Sequence, residues 1–180
     1  MKALLIDHDD SFTHNLRHWL SAFTDHVEII NHRAVHNQDF SNYSFIVLSP
    51  GPKSPRDYPH MIEWLQKQNP AQPLFGVCLG MQLMAISEGA EVIPYSPPLH
   101  GKKSKLKSDI LPFDNIGVAR YHSLCCAHLN EFITLATSDQ IPMWIQHKSK
   151  KWMAVQFHPE SFLTEQTFEF QNYLKKWISP

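Results

Sequence analysis

One pentapeptide, Gly76-Val77-Cys78-Leu79-Gly80, restricts what this chain can fold into more than any other stretch. It follows the apolar run Pro73-Leu74-Phe75 and precedes a helix-like segment from Met81 to Glu88. A Gly-x-Cys-x-Gly at a strand-to-helix joint reads as a nucleophile elbow, with sulfur in place of the serine oxygen. The two glycines leave room for the sharp bend and for close packing. Cys78 then stands at the apex, its thiol open to an incoming carbonyl. The adjoining helix N-terminus carries partial positive charge and favours a thiolate. A buried cysteine between two convenient glycines is the plainer alternative. A possible base elsewhere in the chain weighs against it.

That base lies in Val155-Gln156-Phe157-His158-Pro159-Glu160-Ser161. Met153 to Phe157 is apolar, aromatic and β-branched, which predicts a strand ending at the proline. In extended backbone, His158 and Glu160 face the same side, and Pro159 fixes the backbone between them. A cysteine, a histidine and a carboxylate that orients the histidine form the logic of acyl transfer. The chain has 12 histidines, so one His-Pro-Glu alone would say little. Together with the elbow it points to Cys78, His158 and Glu160 as a catalytic set.

The rest of the sequence supplies the scaffold. Ala3 to Ile6, Val27 to Ile30 and Phe45 to Leu48 are short apolar runs that predict strands. Between the first two, Phe12, Leu16, Trp19, Leu20 and Phe23 recur at helical spacing, with Asp9, Asp10 or Ser11 able to cap the helix. Met61, Ile62 and Leu65 mark another helix before the elbow. This alternation predicts an α/β fold with an open, mostly parallel sheet flanked by helices. After Gly89 the pattern changes. Val92 to Tyr95, Lys102 to Lys107, Gly117 to Tyr121, Phe132 to Ala136, Trp144 to His147 and Met153 to Phe157 predict short strands in an antiparallel or mixed region. The chain closes on a helix whose stripe Phe170, Tyr173, Leu174, Trp177 and Ile178 reads as core. At 180 residues, with no linker or repeat, one domain is expected over residues 1–180.

Composition excludes several classes. The formal net charge is −1, and Lys102, Lys103, Lys105 and Lys107 make a hairpin face rather than a nucleic-acid site. No apolar stretch reaches membrane-spanning length, and the N-terminus lacks a signal-peptide pattern. Three cysteines fit a reducing compartment better than a disulfide framework. A cytoplasmic protein with no nucleic-acid or membrane partner is the expectation. His122, Cys125, Cys126 and His128 could in principle hold zinc. Adjacent cysteines do not match the usual Cys-x-x-Cys spacing, however, so Leu124 to Ala127 reads as partly buried packing. No metal and no cofactor is expected.

The elbow and the Gln-Phe-His-Pro-Glu-Ser segment together resemble the class I, or triad, glutamine amidotransferases. Leu4-Leu5-Ile6-Asp7-His8-Asp9-Asp10-Ser11-Phe12-Thr13, Ser49-Pro50-Gly51-Pro52, His100-Gly101-Lys102 and Arg120-Tyr121-His122-Ser123-Leu124 narrow the resemblance. It is to the glutaminase subunits of anthranilate synthase and aminodeoxychorismate synthase. The resemblance implies that Cys78 forms a γ-glutamyl thioester with L-glutamine, that His158 moves the proton, and that Glu160 holds the imidazole. It implies an oxyanion hole from the backbone N–H groups of Gly51 and Leu79. It implies glutamine contacts at Gly51, Gln82, Ser123 and Leu124. It also implies a heteromer with a chorismate-binding synthase subunit. A standalone γ-glutamyl hydrolase and a non-catalytic binding subunit are the rival readings. The intact triad argues against the second, and the motifs at His100 and Arg120 against the first.

Three positions depart from the family pattern. Met81 stands where histidine is usual after the second elbow glycine. Asp7-His8-Asp9-Asp10 replaces the usual Asp-Asn-Tyr-Asp. Lys53 replaces the last glycine of Gly-Pro-Gly, and a positive φ there would strain a lysine. The stretch from Pro97 to Asp114 reads as trimmed.

Overall fold

The structure is a computed structural model that describes residues 1–96, 98 and 101–179. The predicted alternation holds through the first half. The strands are β1 (Lys2–Asp7), β2 (His26–Asn31), β3 (Phe45–Leu48) and β4 (Leu74–Val77), with helices α1 (Thr13–Ser21), α2 (Pro59–Gln66) and α3 (Leu79–Ser87). Then come β5 (Glu91–Pro94), β6 (Lys102–Lys105), β7 (Lys107–Ser108), β8 (Gly117–Arg120), β9 (Leu124–Ala127), β10 (Phe132–Ser138), β11 (Ile141–His147), β12 (Trp152–Val155) and α4 (Thr167–Ile178). The main sheet has eight strands in the order β2-β1-β3-β4-β12-β11-β10-β7. β2, β1, β3, β4 and β12 are mutually parallel, and β11, β10 and β7 continue the sheet antiparallel. Strand pairs β5-β9 and β6-β8 form two small antiparallel ribbons.

Burial on both faces explains why β1, β3, β4 and β12 carry continuous apolar runs, whereas the edge strand β2 is only partly buried. Along β1, Ala3 and Leu5 enter one core and Leu4 and Ile6 the other. α1 and α4 cover the first face with Leu16, Trp19, Leu20, Phe170, Leu174 and Ile178. α2 and α3 cover the second with Met61, Trp64, Leu65, Leu83 and Met84. Trp19 Nε1 donates to Thr167 Oγ1 at 2.7 Å and Gln171 Nε2 to the Trp19 carbonyl at 2.9 Å, which pins α4 to α1. Among the described residues no helix is long and apolar enough to cross a membrane.

The structure corrects the sequence reading in four places. Met153 to Phe157 does fall in a mixed region, with β12 parallel to β4 (Val155 opposite Val77) and antiparallel to β11, but the strand itself runs Trp152–Val155. It ends at Val155, so His158 sits in the following turn. Lys102 to Lys107 is two strands in different sheets, with β6 paired to β8 and β7 to β10. Leu124 to Ala127 is the strand β9. Its adjacent cysteines face opposite ways, Cys125 into one core and Cys126 into the other. A period of two residues puts neighbours on opposite faces, so the two cannot share a ligand. Finally, no side chain caps α1 directly; Asp10 Oδ1 accepts from Phe12 N–H at 2.8 Å just before it. Of the His100-Gly101-Lys102 motif, His100 lies outside the described residues, as do Pro97 and Leu99 of the stretch read as trimmed.

Candidate active site

The elbow is a strained turn. Cys78 has φ 53° and ψ −101°, and it immediately precedes α3. A non-glycine residue in such a region costs of order 1–3 kcal/mol and persists only where the surroundings hold it. The surroundings do so: Cys78 N–H donates to the Val155 carbonyl at 2.8 Å, and Gln82 N–H to the Cys78 carbonyl at 3.2 Å. Both glycines are needed for close approach. A Cβ on Gly76 would lie 2.7 Å from Gly80 backbone, and one on Gly80 would lie 2.5 Å from the Leu48 carbonyl oxygen. Cys78 is only 7% exposed, and its sulfur is accessible from the adjoining cleft rather than from open solvent.

Parallel pairing of β4 with β12 brings the second half of the site to the first. Past Val155 the chain turns. Ser161 N–H donates to the His158 carbonyl at 3.2 Å, and His158 N–H donates to the Ala119 carbonyl of β8 at 3.0 Å. The expected juxtaposition of His158 and Glu160 is thus present, but a turn rather than extended backbone makes it. His158 Nδ1 lies 2.7 Å from Glu160 Oε1, and both side chains are buried. Phe12 and Tyr121 pack edge-on against the imidazole, with centroids 5.6 and 5.0 Å away. Burial disfavours the imidazolium, but the Glu160 charge and the nearby Cys78 sulfur outweigh it and hold the His158 pKa well above the ordinary value. The other nitrogen, Nε2, makes no conventional hydrogen bond among the described residues.

A cleft of about 210 Å³ opens beside the sulfur. It is lined by Gly51, Pro52, Lys53, Cys78, Leu79, Gln82, Tyr121, His122, Ser123 and Leu124. Every residue expected to touch substrate therefore borders one cavity, smaller than the roughly 300–1,000 Å³ of drug-sized sites. Among the described residues, neither Gly51 N–H nor Leu79 N–H is used in a hydrogen bond. The Gln82 amide nitrogen is engaged with the Leu124 carbonyl (3.4 Å) and with Gln156 Oε1 (3.1 Å). Of the departures, Met81 is fully buried in the core beneath α3. Lys53 has φ 73°, the left-handed conformation that its place in the motif foretold.

Sequence reasoning named Tyr121 only as a motif letter, weighed His122 only as a zinc ligand or motif letter, and assigned nothing to Gln156. His122 Nδ1 donates to the Leu124 carbonyl at 2.9 Å, and its Nε2 accepts from Arg120 Nε at 3.0 Å. The guanidinium is fully buried and pairs with Asp139 at 2.7 Å. The first two contacts are local, spanning the turn between β8 and β9, whereas the Arg120–Asp139 pair joins residues 19 apart and has no local sequence signal. Among the described residues no three His, Cys, Asp or Glu side chains converge on a metal position.

The buried histidines predict an acid-sensitive fold. Burial, aided by nearby His32, pushes His8 down to about 3. Burial and the Arg120 charge push His122 down to about 4. The unfolded chain takes up both protons near pH 6.5, the folded chain only near those lower values. Their contribution is complete above pH 6.5 and is lost as pH falls toward 4 and 3, at about 1.4 kcal/mol per unit for each group. His158 has the opposite sign: its contribution is present at low pH and lost as pH rises through its folded pKa. Urea midpoints should fall steeply on acidification. His8→Asn should flatten that slope, and an unchanged slope would show that His8 does not titrate with unfolding.

The fold and the side-chain geometry are those of an α/β protein built around a cysteine elbow. Residues 4–177 match the family model described as glutamine amidotransferase class-I. The chain is 37% identical over 177 residues to the pyocyanine-specific anthranilate synthase component 2 of Pseudomonas aeruginosa, covering 91% of this chain and 88% of that protein. It is 34% identical over 181 residues to anthranilate synthase component 2 of Halobacterium salinarum, covering 91% of each. A solved glutamine amidotransferase from Thermotoga maritima shares the fold at TM-score 0.71 and 17% identity, over 99% of this chain and 94% of that one. The chain belongs to the class-I glutamine amidotransferase family.

Proposed function

We propose that this chain is the glutaminase subunit of a two-component synthase that uses chorismate. The observation that carries the reading is the register of β4 against β12, which sets an elbow cysteine beside a buried His-Glu pair at a small cleft. In this reading the Cys78 thiolate attacks the side-chain amide carbon of L-glutamine. The N–H groups of Gly51 and Leu79 receive the developing oxyanion, each donor worth roughly 2.7–4 kcal/mol. The His158 imidazolium gives its proton to the leaving nitrogen, ammonia departs, and a γ-glutamyl thioester remains. Water, with His158 now as base, releases glutamate and restores the thiol. Glu160 keeps the imidazole oriented throughout. Gln82, Ser123 and Leu124 border the place where the α-amino and α-carboxylate groups of glutamine would lie.

The names of the relatives favour anthranilate as the partner's product. 4-Amino-4-deoxychorismate stays as the second product, because a subunit that exports only ammonia can serve either synthase. Co-purification from the native cell with a chorismate-binding chain, followed by product analysis, tests the assignment. A complex without such a chain, or glutaminase activity indifferent to it, would favour the standalone hydrolase.

The loop Gly51-Pro52-Lys53 is the part most suited to gating by a partner. Lys53 borders the glutamine cleft and also a neighbouring cavity lined by Asp9, His32, Arg33, Tyr58 and His60. Tyr58 holds the loop by donating to the Pro52 carbonyl at 2.9 Å. A left-handed lysine costs roughly 1–2 kcal/mol, while glycine in its place adds unfolded-state entropy that offsets much of the relief. Lys53→Gly is therefore expected to leave stability within about 1 kcal/mol of the parent. Basal glutaminase rate, or its activation by the synthase, should change several-fold. Steady-state rates with and without the synthase, beside a denaturation curve, check this. A large stability change with unaltered rates would argue that the loop is only structural.

A further inference from the structure

Gln156 stands two residues before His158 and is fully buried. Its Nε2 lies 3.4 Å from Cys78 Sγ, within hydrogen-bonding reach of sulfur. Its Oε1 accepts from Gln82 Nε2 at 3.1 Å. A carboxamide on its own could be turned either way, because its nitrogen and oxygen occupy nearly equivalent positions. A fixed backbone acceptor removes that freedom here. The Leu124 carbonyl can only accept, so Gln82 must point its NH2 group at it. The second hydrogen of the same NH2 group needs an oxygen, which turns Oε1 of Gln156 toward Gln82. The NH2 group of Gln156 is then left facing the sulfur. The Leu124 carbonyl is itself held by His122 Nδ1, and His122 is held by Arg120.

We infer that Gln156 is a further member of the catalytic machinery, a neutral donor oriented through Gln82 that stabilises the thiolate of Cys78. A hydrogen bond to the charged form favours that form. An amide does not titrate, so this support is independent of pH, unlike that from His158. The same donor serves twice in the proposed cycle. It favours the attacking thiolate, and it favours the thiolate that leaves when the thioester breaks down. A buried glutamine whose only function is to fill the core would also be hydrogen-bonded, but nothing would require its nitrogen to face the nucleophile.

This inference rests on Cys78 being the nucleophile, so the test reads the sulfur directly and omits glutamine. Iodoacetamide is added at a series of pH values, and carboxamidomethylation of Cys78 is located by peptide mass spectrometry. Gln156→Met keeps side-chain size and removes the donor. Its alkylation rate near neutral pH should fall about 10- to 100-fold, the worth of one hydrogen bond to a charged group. The rate should converge on the parent's at alkaline pH, where both thiols are ionised. Gln82→Met does not touch the sulfur but frees Gln156 to turn, so a several-fold fall with the same convergence is expected. Gln156→Glu places an oxygen at the sulfur and should slow alkylation at least as much as Gln156→Met. It also covers the case in which Gln156→Met does not fold, as judged by circular dichroism. Parent-like rates in folded Gln156 variants, or an equal loss at every pH, would overturn the inference. A parent protein unreactive at Cys78 would overturn the nucleophile reading as well, and the two failures are distinguishable.

Discussion

Cys78→Ser is expected to lower glutamine-dependent synthesis by about 10⁴-fold or more, the scale seen when a nucleophile is removed from a set that acts as a unit. Serine is nearly isosteric and inherits the same strained backbone at φ 53°, so stability should stay within about 1 kcal/mol. What changes is the nucleophile, since a hydroxyl near neutral pH is far less ionised and less reactive than a thiol. Synthesis by the partner from added ammonium salt should continue at close to the parent rate. The comparison of the two nitrogen sources in the intact complex is the measurement. Equal loss of both would mean that Cys78 supports the assembly rather than the hydrolysis of glutamine.

His158→Ala should reduce formation of the γ-glutamyl thioester by about 10⁴-fold or more. Two effects combine. The proton carrier is lost, and Glu160, its side chain fully buried and its Oε2 without a partner among the described residues, is left as an uncompensated carboxylate. Breaking a buried ion pair in this way typically costs 3–5 kcal/mol, so His158→Ala should also unfold earlier. Glu160→Gln should be milder, slowing thioester formation by up to about 10⁴-fold. An amide can offer N–H to Nδ1, which reverses the tautomer and turns a hydrogen, rather than a lone pair, from Nε2 toward the sulfur. Rapid-quench trapping of the acyl-enzyme by mass spectrometry separates the cases. Thioester formation at the parent rate in His158→Ala would refute the assignment of the base.

Much of the architecture was legible because the parallel strands are buried on both faces. That condition demands unbroken apolar runs, and β1, β3 and β4 carry them. α4 was legible for a related reason: Phe170, Leu174 and Ile178 repeat at the period that puts them on one buried face. β12 satisfied the same apolar rule, yet its neighbours could not be named from sequence. A short buried strand carries no record of which neighbour it joins, and β12 sits between β4 and β11, each far away in sequence. β9 was missed as a strand because Leu124-Cys125-Cys126-Ala127 offers no alternating polar face.

The candidate site divides along the same line. By itself the sequence determined the elbow, the pairing of His158 with Glu160 and the left-handed position at Lys53. Those are local matters, decided by backbone sterics within a few residues and by which side chains can move protons. The tertiary structure alone decided that β4 and β12 lie side by side, and hence that Cys78 and His158 are neighbours. It alone decided the path Arg120, His122, Leu124, Gln82, Gln156, Cys78. Each of those contacts satisfies a buried donor or acceptor with a partner, mostly from another strand or helix. Burial makes such pairing obligatory, but only the folded chain determines which partner is within reach.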